Sequence, residues 1–240
     1  MNKNKLDLQQ QKIIGVKVGK GEQEYLAEID DLIFNDCLQE ALKLVLRSKF
    51  IFPNSCEISK REGEIYFEQE DYERAFSIFD LLKNQDNNSK RDLCLAVKLM
   101  NQEFLKEAKT LVTKLTSSKE SNISSRAYAI LADINFLKKD YKSMYRWSRE
   151  ALKRNPFIES LVDKFYLSIV LTNNYSKSIP FLESLLDENP YSAKIWLYTG
   201  QTYLALGLTK HAINSLEMAL FNDKDLVEAK NLILANRNLI

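Results

Sequence analysis

From residue 22 onward, apolar residues recur three and four positions apart, the spacing of one face of an α-helix, and short polar clusters interrupt them. The periodic stretches run about 12 to 14 residues and are joined in pairs by brief turns such as Lys138-Lys139-Asp140 and Glu70-Asp71. This pattern is itself periodic. A displacement of 34 residues brings Trp196 onto Val162 and Tyr128, Gly200 onto Tyr166 and Ala132, Ala212 onto Ser178 and Met144, and Ala219 onto Leu185 and Ala151. Asn-Pro closes two units in the same register, at Pro156 and Pro190. Upstream, Ala108, Ala75 and Ala41 take the place of Ala212, and Pro53 that of Pro156. Unit starts fall near Glu22, Cys56, Ser89, Ser125, Glu159 and Ala193, with spacings of 34, 33, 36, 34 and 34. Such a period predicts stacked helix pairs, each burying its apolar face on its neighbours.

The residues at these places resemble the tetratricopeptide repeat (TPR). Its pattern has a bulky residue and a small one early in the first helix, an aromatic three residues later, Ala and an aromatic in the second helix, and Pro at the end. The last unit carries Trp196, Gly200, Tyr203, Ala212 and Ala219; the second carries Gly63, Tyr66, Tyr72, Ala75 and Phe79; the fourth carries Tyr128, Leu131-Ala132, Tyr141, Ala151 and Pro156. The resemblance implies an all-α, right-handed α-solenoid of six helix-turn-helix units over residues 22–226. Residues 1–21 read as a basic flexible tail and residues 227–240 as a capping helix. Three departures stand out. Tyr166 occupies a place that a small residue would fill, Pro180 sits early in a second helix and predicts a late start or a kink there, and Thr116 to Asn122 reads as a flexible joint after a weak third unit.

Composition narrows the function. Six Gly, three of them in the first 21 residues, argue for helices joined by short turns rather than a loop-rich enzyme. One His, His211, excludes chemistry that needs two imidazoles, and Cys37, Cys56 and Cys94 show no metal-ligand spacing, so no metal and no cofactor are expected. The Gly15 to Gly21 stretch is one residue short of a phosphate loop, and Gly21 stands where the Ser or Thr should be. No apolar run approaches a membrane span and no leader is visible at the start, which predicts a cytoplasmic or nuclear location without membrane contact. Net charge of +1 disfavours bulk nucleic-acid binding. The charge is unevenly spread, however, with a basic tail, seven carboxylates between Glu57 and Glu73, and a basic fourth unit.

In the resembling family the first helices line a concave surface that binds partner peptides. Carried over by position, the lining is Leu26, Ile33 and Phe34 in the first unit; Lys60, Glu64 and Phe67 in the second; and Leu93, Val97 and Met100 in the third. Arg126, Asp133 and Phe136 follow in the fourth, Leu167, Val170 and Leu171 in the fifth, and Lys194, Leu197, Tyr198, Gln201 and Leu204 in the sixth. This largely apolar set suits an amphipathic helix or an extended hydrophobic segment. It lacks the Lys and Asn set with which some relatives clamp a terminal carboxylate. The expected function is therefore a non-enzymatic scaffold for a protein or peptide partner, as a subunit of a larger assembly. Leu26, Phe34 and Leu38 also offer a surface for a homo-oligomer. The rival expectation is nucleic-acid or acidic-partner binding through Lys142, Arg146, Arg149 and Lys153, a basic stripe on the second helix of unit four.

Overall fold

The computed structural model describes residues 20–82 and 88–237, and among these it has thirteen α-helices and no strand. The chain divides into two compact units between Gln102 and Glu103. The first holds α1 (Glu22–Phe34), α2 (Leu38–Ile51), α3 (Cys56–Glu68), α4 (Tyr72–Leu81) and α5 (Asn88–Asn101). In the second are α6 (Leu105–Leu115), α7 (Ser121–Leu137), α8 (Tyr141–Arg154), α9 (Glu159–Thr172), α10 (Tyr175–Glu188), α11 (Ala193–Ala205), α12 (Thr209–Asn222) and α13 (Val227–Asn236). The predicted tail lies outside the described residues, apart from Lys20, which pairs with Glu28, and Gly21, whose N–H donates to Glu24 at the start of α1. Asn238, Leu239 and Ile240 at the end of the predicted cap also lie outside them.

One device builds the turn inside each helix pair. A single residue takes the left-handed conformation at Asp36, Glu70, Glu103, Lys139, Asn173 and Gly207, with φ between 54° and 73°. These positions are 34, 33, 36, 34 and 34 apart, the same intervals as the unit starts. After α1, α3, α7, α9 and α11 the next N–H reaches back to the last turn of the helix: Cys37 to the Leu32 carbonyl, Asp71 to Tyr66, Asp140 to Asn135, Asn174 to Ile169 and Leu208 to Tyr203. These are Schellman closures, which satisfy carbonyls that the helix end leaves unpaired. The same residue then caps the following helix. Asp71 accepts from the Arg74 N–H and Asp140 from the Ser143 N–H, both at 3.1 Å. Left-handed turns therefore occur in every described pair although only Gly207 among them is glycine, and Asp, Glu, Lys and Asn carry the conformational cost elsewhere.

The equivalent places on the second helices, Ala41, Ala75, Ala108, Met144, Ser178 and Ala212, are all buried, and five of the six are small. Leu26, Ile29, Ala41, Val45, Ile58 and Ile65 form a core in the first unit. The second unit has a core running through Ala151, Leu161, Phe165, Ile169, Leu182 and Ile195, and a further cluster of Leu197, Leu216, Ala219 and Ala229 that ties α13 to α11 and α12. At Gly63 an added Cβ would sit 2.6 Å from the Phe79 ring, and at Gly200 it would sit 2.8 Å from Leu216 Cγ, so these two pairs pack over a missing side chain.

Two sequence expectations are corrected. Pro180 lies inside α10, which starts five residues earlier at Tyr175, so the helix does not begin late. Proline there only deprives the Ser176 carbonyl of an N–H donor four residues on. The predicted joint is also displaced. Ser121 and Asn122 belong to α7, whose first turns bury Ile123, Ser124 and Ser125, and the division between compact units falls inside the third repeat instead.

Candidate functional site

The first helices of successive repeats are linked by ion pairs whose acid and base stand on neighbouring elements. In the first unit Arg61 on α3 donates to Asp30 on α1 at 3.0 Å, and Lys90 on α5 donates to Glu64 on α3 at 3.0 Å. In the second, Lys164 on α9 donates to Asp133 on α7 at 2.6 Å, and Lys194 on α11 donates to Asp163 on α9 at 3.1 Å. Three of the four pairs are 31 residues apart, one repeat less a helical turn. An acid paired with a base at that interval was visible in the sequence, but a search by equivalence at 34 passes over it. Lys194 feels partial burial that lowers its pKa, which its bond to Asp163 and the charges of Asp163 and Glu159 outweigh, so the net shift is upward.

Asp163 also accepts from the Tyr198 hydroxyl at 2.6 Å, and the Tyr198 ring stacks on Tyr166. Burial first, and then the bond to Asp163, raise the Tyr198 phenol well above its ordinary value. Burial pushes Tyr166 up to about 12, with a smaller contribution from Tyr175 and Glu228. Gln201 donates to Glu228 of α13 at 2.5 Å, continuing the row of polar links beyond α11.

The expected lining residues therefore separate into three groups. Leu26, Phe67, Leu93, Arg126 and Leu197 are buried. Phe67, for example, packs edge-on against Tyr72, and the Arg126 Nε bonds to Asn122 one turn earlier. Glu64, Asp133, Lys194, Tyr198 and Gln201 are engaged in the links just described, while Ile33, Lys60, Val97, Met100 and Leu204 are half-buried. The exposed apolar residues are Phe34 in the first unit, at 88%, and Phe136, Leu167, Val170 and Leu171 in the second, at 40, 42, 42 and 37%. Of the three residues offered for self-association, Leu26 is buried and Leu38 half-buried, leaving Phe34 outward.

The basic stripe is interrupted. Arg149 lies over the Phe181 ring at 4.8 Å with its Nε buried, Lys153 donates to Glu150 at 2.9 Å, and Arg146 lies over Trp147 at 4.6 Å. Lys142 is exposed at the start of α8, where it faces a cleft of about 550 Å³ whose other cations, Lys139 and Lys177, come from outside the stripe. Sequence reasoning along one helix could not assemble these three lysines, because the first turn of α10 supplies the third. His211 lies against the Tyr203 ring at 5.4 Å, and Cys37, Cys56 and Cys94 are free thiols. Among the described residues no helix is long and apolar enough to cross a membrane.

No family model matches the sequence, and no curated protein matches it either. Solved structures do. The Cut9–Hcn1 hetero-tetramer of the APC/C aligns at 15% identity with a TM-score of 0.64, covering 98% of this chain and 46% of that one. This chain thus spans less than half of that protein's length. A tetratricopeptide repeat protein from Parabacteroides merdae aligns at 15% identity and a TM-score of 0.57, covering 90% of this chain and 85% of the other. PilF of Pseudomonas aeruginosa aligns at 11% identity and a TM-score of 0.55, covering 89% and 96%. With its paired helices, left-handed turns and buried small residues at a constant interval, the chain has the tetratricopeptide-repeat fold.

Proposed function

We propose that the protein is a non-catalytic interaction scaffold whose first helices hold a partner helix or extended hydrophobic segment, as a subunit of a larger assembly. The observation that carries this reading is the apolar row Phe136, Leu167, Val170 and Leu171, more than a third exposed while Ile134 and Ile169 on the same helices are buried. Exposed apolar residues aligned on one face favour contact with a partner's apolar side chains, each worth about 1.5–3 kcal/mol when fully buried. The polar links beside the row hold the first helices in register, so the surface is formed before a partner arrives. Cut9, an assembly component by its description, supports the subunit reading by analogy of fold. The carboxylates and lysines on these helices are paired across elements, which suits a structural role better than proton transfer.

Affinity capture from the native host tests the reading with Leu167→Asp combined with Val170→Asp, both solvent-facing and therefore compatible with folding. Partners recovered by the wild type should be lost by this variant at an unchanged melting temperature. Recovery of the same partners removes the apolar row from consideration.

A further inference from the structure

The cleft between the α7–α8 turn and the α9–α10 turn is lined by more cations than anions. Lys139, Lys142 and Lys177 converge on it, and among the described residues none of the three has a carboxylate within ion-pair distance, unlike Lys153, Lys164 and Lys194 of the same unit. Its apolar wall is Leu171, which is exposed, beside Tyr141. The one acid at the rim, Asp140, is already committed: it accepts from the Ser143 N–H at 3.1 Å and the Ser143 hydroxyl at 2.6 Å, and these bonds hold it ionised below the ordinary carboxylate range.

We propose that this cleft binds an acidic peptide segment of a partner protein, one that carries an apolar side chain among its carboxylates. Three lysines against one acid leave the rim net positive, and flexible ammonium groups match carboxylates spaced along a chain. A cavity of about 550 Å³ holds several side chains and is far larger than a single oxyanion. Inorganic phosphate would also leave Leu171 and Tyr141 uncovered. It would also meet the Asp140 carboxylate at the start of α8, which already takes the Ser143 N–H. A nucleic-acid strand would be held by arginine forks and free aromatic faces, whereas this rim has no arginine and its one aromatic ring, Tyr141, already packs against Phe136. The cleft shares Leu171 with the apolar row, but the inference is tested separately: Lys139 lies in the α7–α8 turn and Lys142 and Lys177 in the first turns of α8 and α10, and the Leu167→Asp and Val170→Asp substitutions leave all three in place.

The test uses the full chain and a fluorescently labelled peptide of glutamates around a central Leu-Phe pair, with its glutamine counterpart as the uncharged probe. The wild type should bind the glutamate peptide and not the glutamine one. Lys142→Glu with Lys177→Glu should weaken binding by about tenfold or more, and Leu171→Ser by about threefold, with melting temperatures unchanged. A milder pair, Lys142→Gln with Lys177→Gln, should move affinity the same way should the reversal disturb folding. Lys153→Glu with Lys210→Glu carries the same change in charge elsewhere in the unit and should have little effect. The proposal is overturned by no binding of the glutamate peptide, by equal binding of its glutamine counterpart, or by an equal loss in the control pair. Displacement of the peptide by oligothymidylate or inorganic phosphate at the peptide's own concentration would overturn it too.

Discussion

The rings of Tyr166 and Tyr198 lie 4.2 Å apart and within 3° of parallel, one on α9 and the other on α11. Tyr166 occupies the place that Gly63 and Gly200 hold in their repeats, where a first helix rests directly on its second. With a phenol there, α9 and α10 meet through side chains, and Phe165 and Phe181 fill the space between them, edge-on at 5.1 Å. The Tyr166 side chain points instead to the next first helix. An apparent defect in the repeat is thereby a contact between repeats.

That contact should show measurable coupling. Aromatic pairs contribute about 0.5–1.5 kcal/mol beyond buried area. A double-mutant cycle with Tyr166→Leu and Tyr198→Leu is expected to give a coupling energy in that range, read by chemical denaturation. Additive single effects would show that the stacked geometry contributes nothing beyond burial.

The same tyrosines predict a response to alkali. Their folded pKa values are raised, Tyr166 and Tyr203 to about 12 and Tyr198 higher still, chiefly by burial. A raised pKa gives stability that is complete below the unfolded value near 10 and is lost as pH climbs from there toward the folded values. Phenolate absorbance should therefore show Tyr166, Tyr198 and Tyr203 ionising late, and stability should fall from about pH 10 upward. A single titration of all tyrosines near pH 10 in the folded protein would contradict this.

The fold was legible because its determinants recur at a fixed interval. Ala41, Ala75 and Ala212 recur in register, and burial of each follows from helix pairs that must approach closely. The site was less legible for two reasons. Apolar residues on a first helix divide between core and surface by a rotation of one position: Ile169 is buried while Val170 beside it is exposed. Cations that look alike in sequence also differ in what faces them, since Lys194 meets Asp163 from the preceding repeat whereas Lys142 meets Lys139 and Lys177 across a cleft.

Close approach at the two helical glycines makes a further prediction. Alanine in place of glycine inside a helix is favoured by about 1 kcal/mol through backbone propensity. At Gly200 the new methyl would sit 2.8 Å from Leu216 Cγ and 3.2 Å from the Ala212 carbonyl, and overpacking of that kind costs about 1–3 kcal/mol. Gly200→Ala should therefore lower the melting temperature, and in a Leu216→Ala background the same change should raise it. A stabilising Gly200→Ala in the otherwise native protein would mean that the helices do not approach this closely.

The left-handed turns predict opposite effects from opposite substitutions. Gly207 has φ of 73°, and a Cβ there would meet nothing within 4 Å, so Gly207→Ala carries a backbone penalty free of any clash. A left-handed residue with a Cβ costs about 1–2 kcal/mol, and Gly207→Ala should lower the melting temperature by a few degrees, at about 2–4 °C per kcal/mol. Glu70, at φ of 59°, already bears that cost. Glu70→Gly removes it while adding freedom to the unfolded chain, which returns about 0.4–1 kcal/mol. The net gain should be a few tenths of a kcal/mol to about 1 kcal/mol, seen as a small upward shift in melting. Equal destabilisation by both changes would show that the Glu70 side chain, not its backbone angle, is what the turn requires.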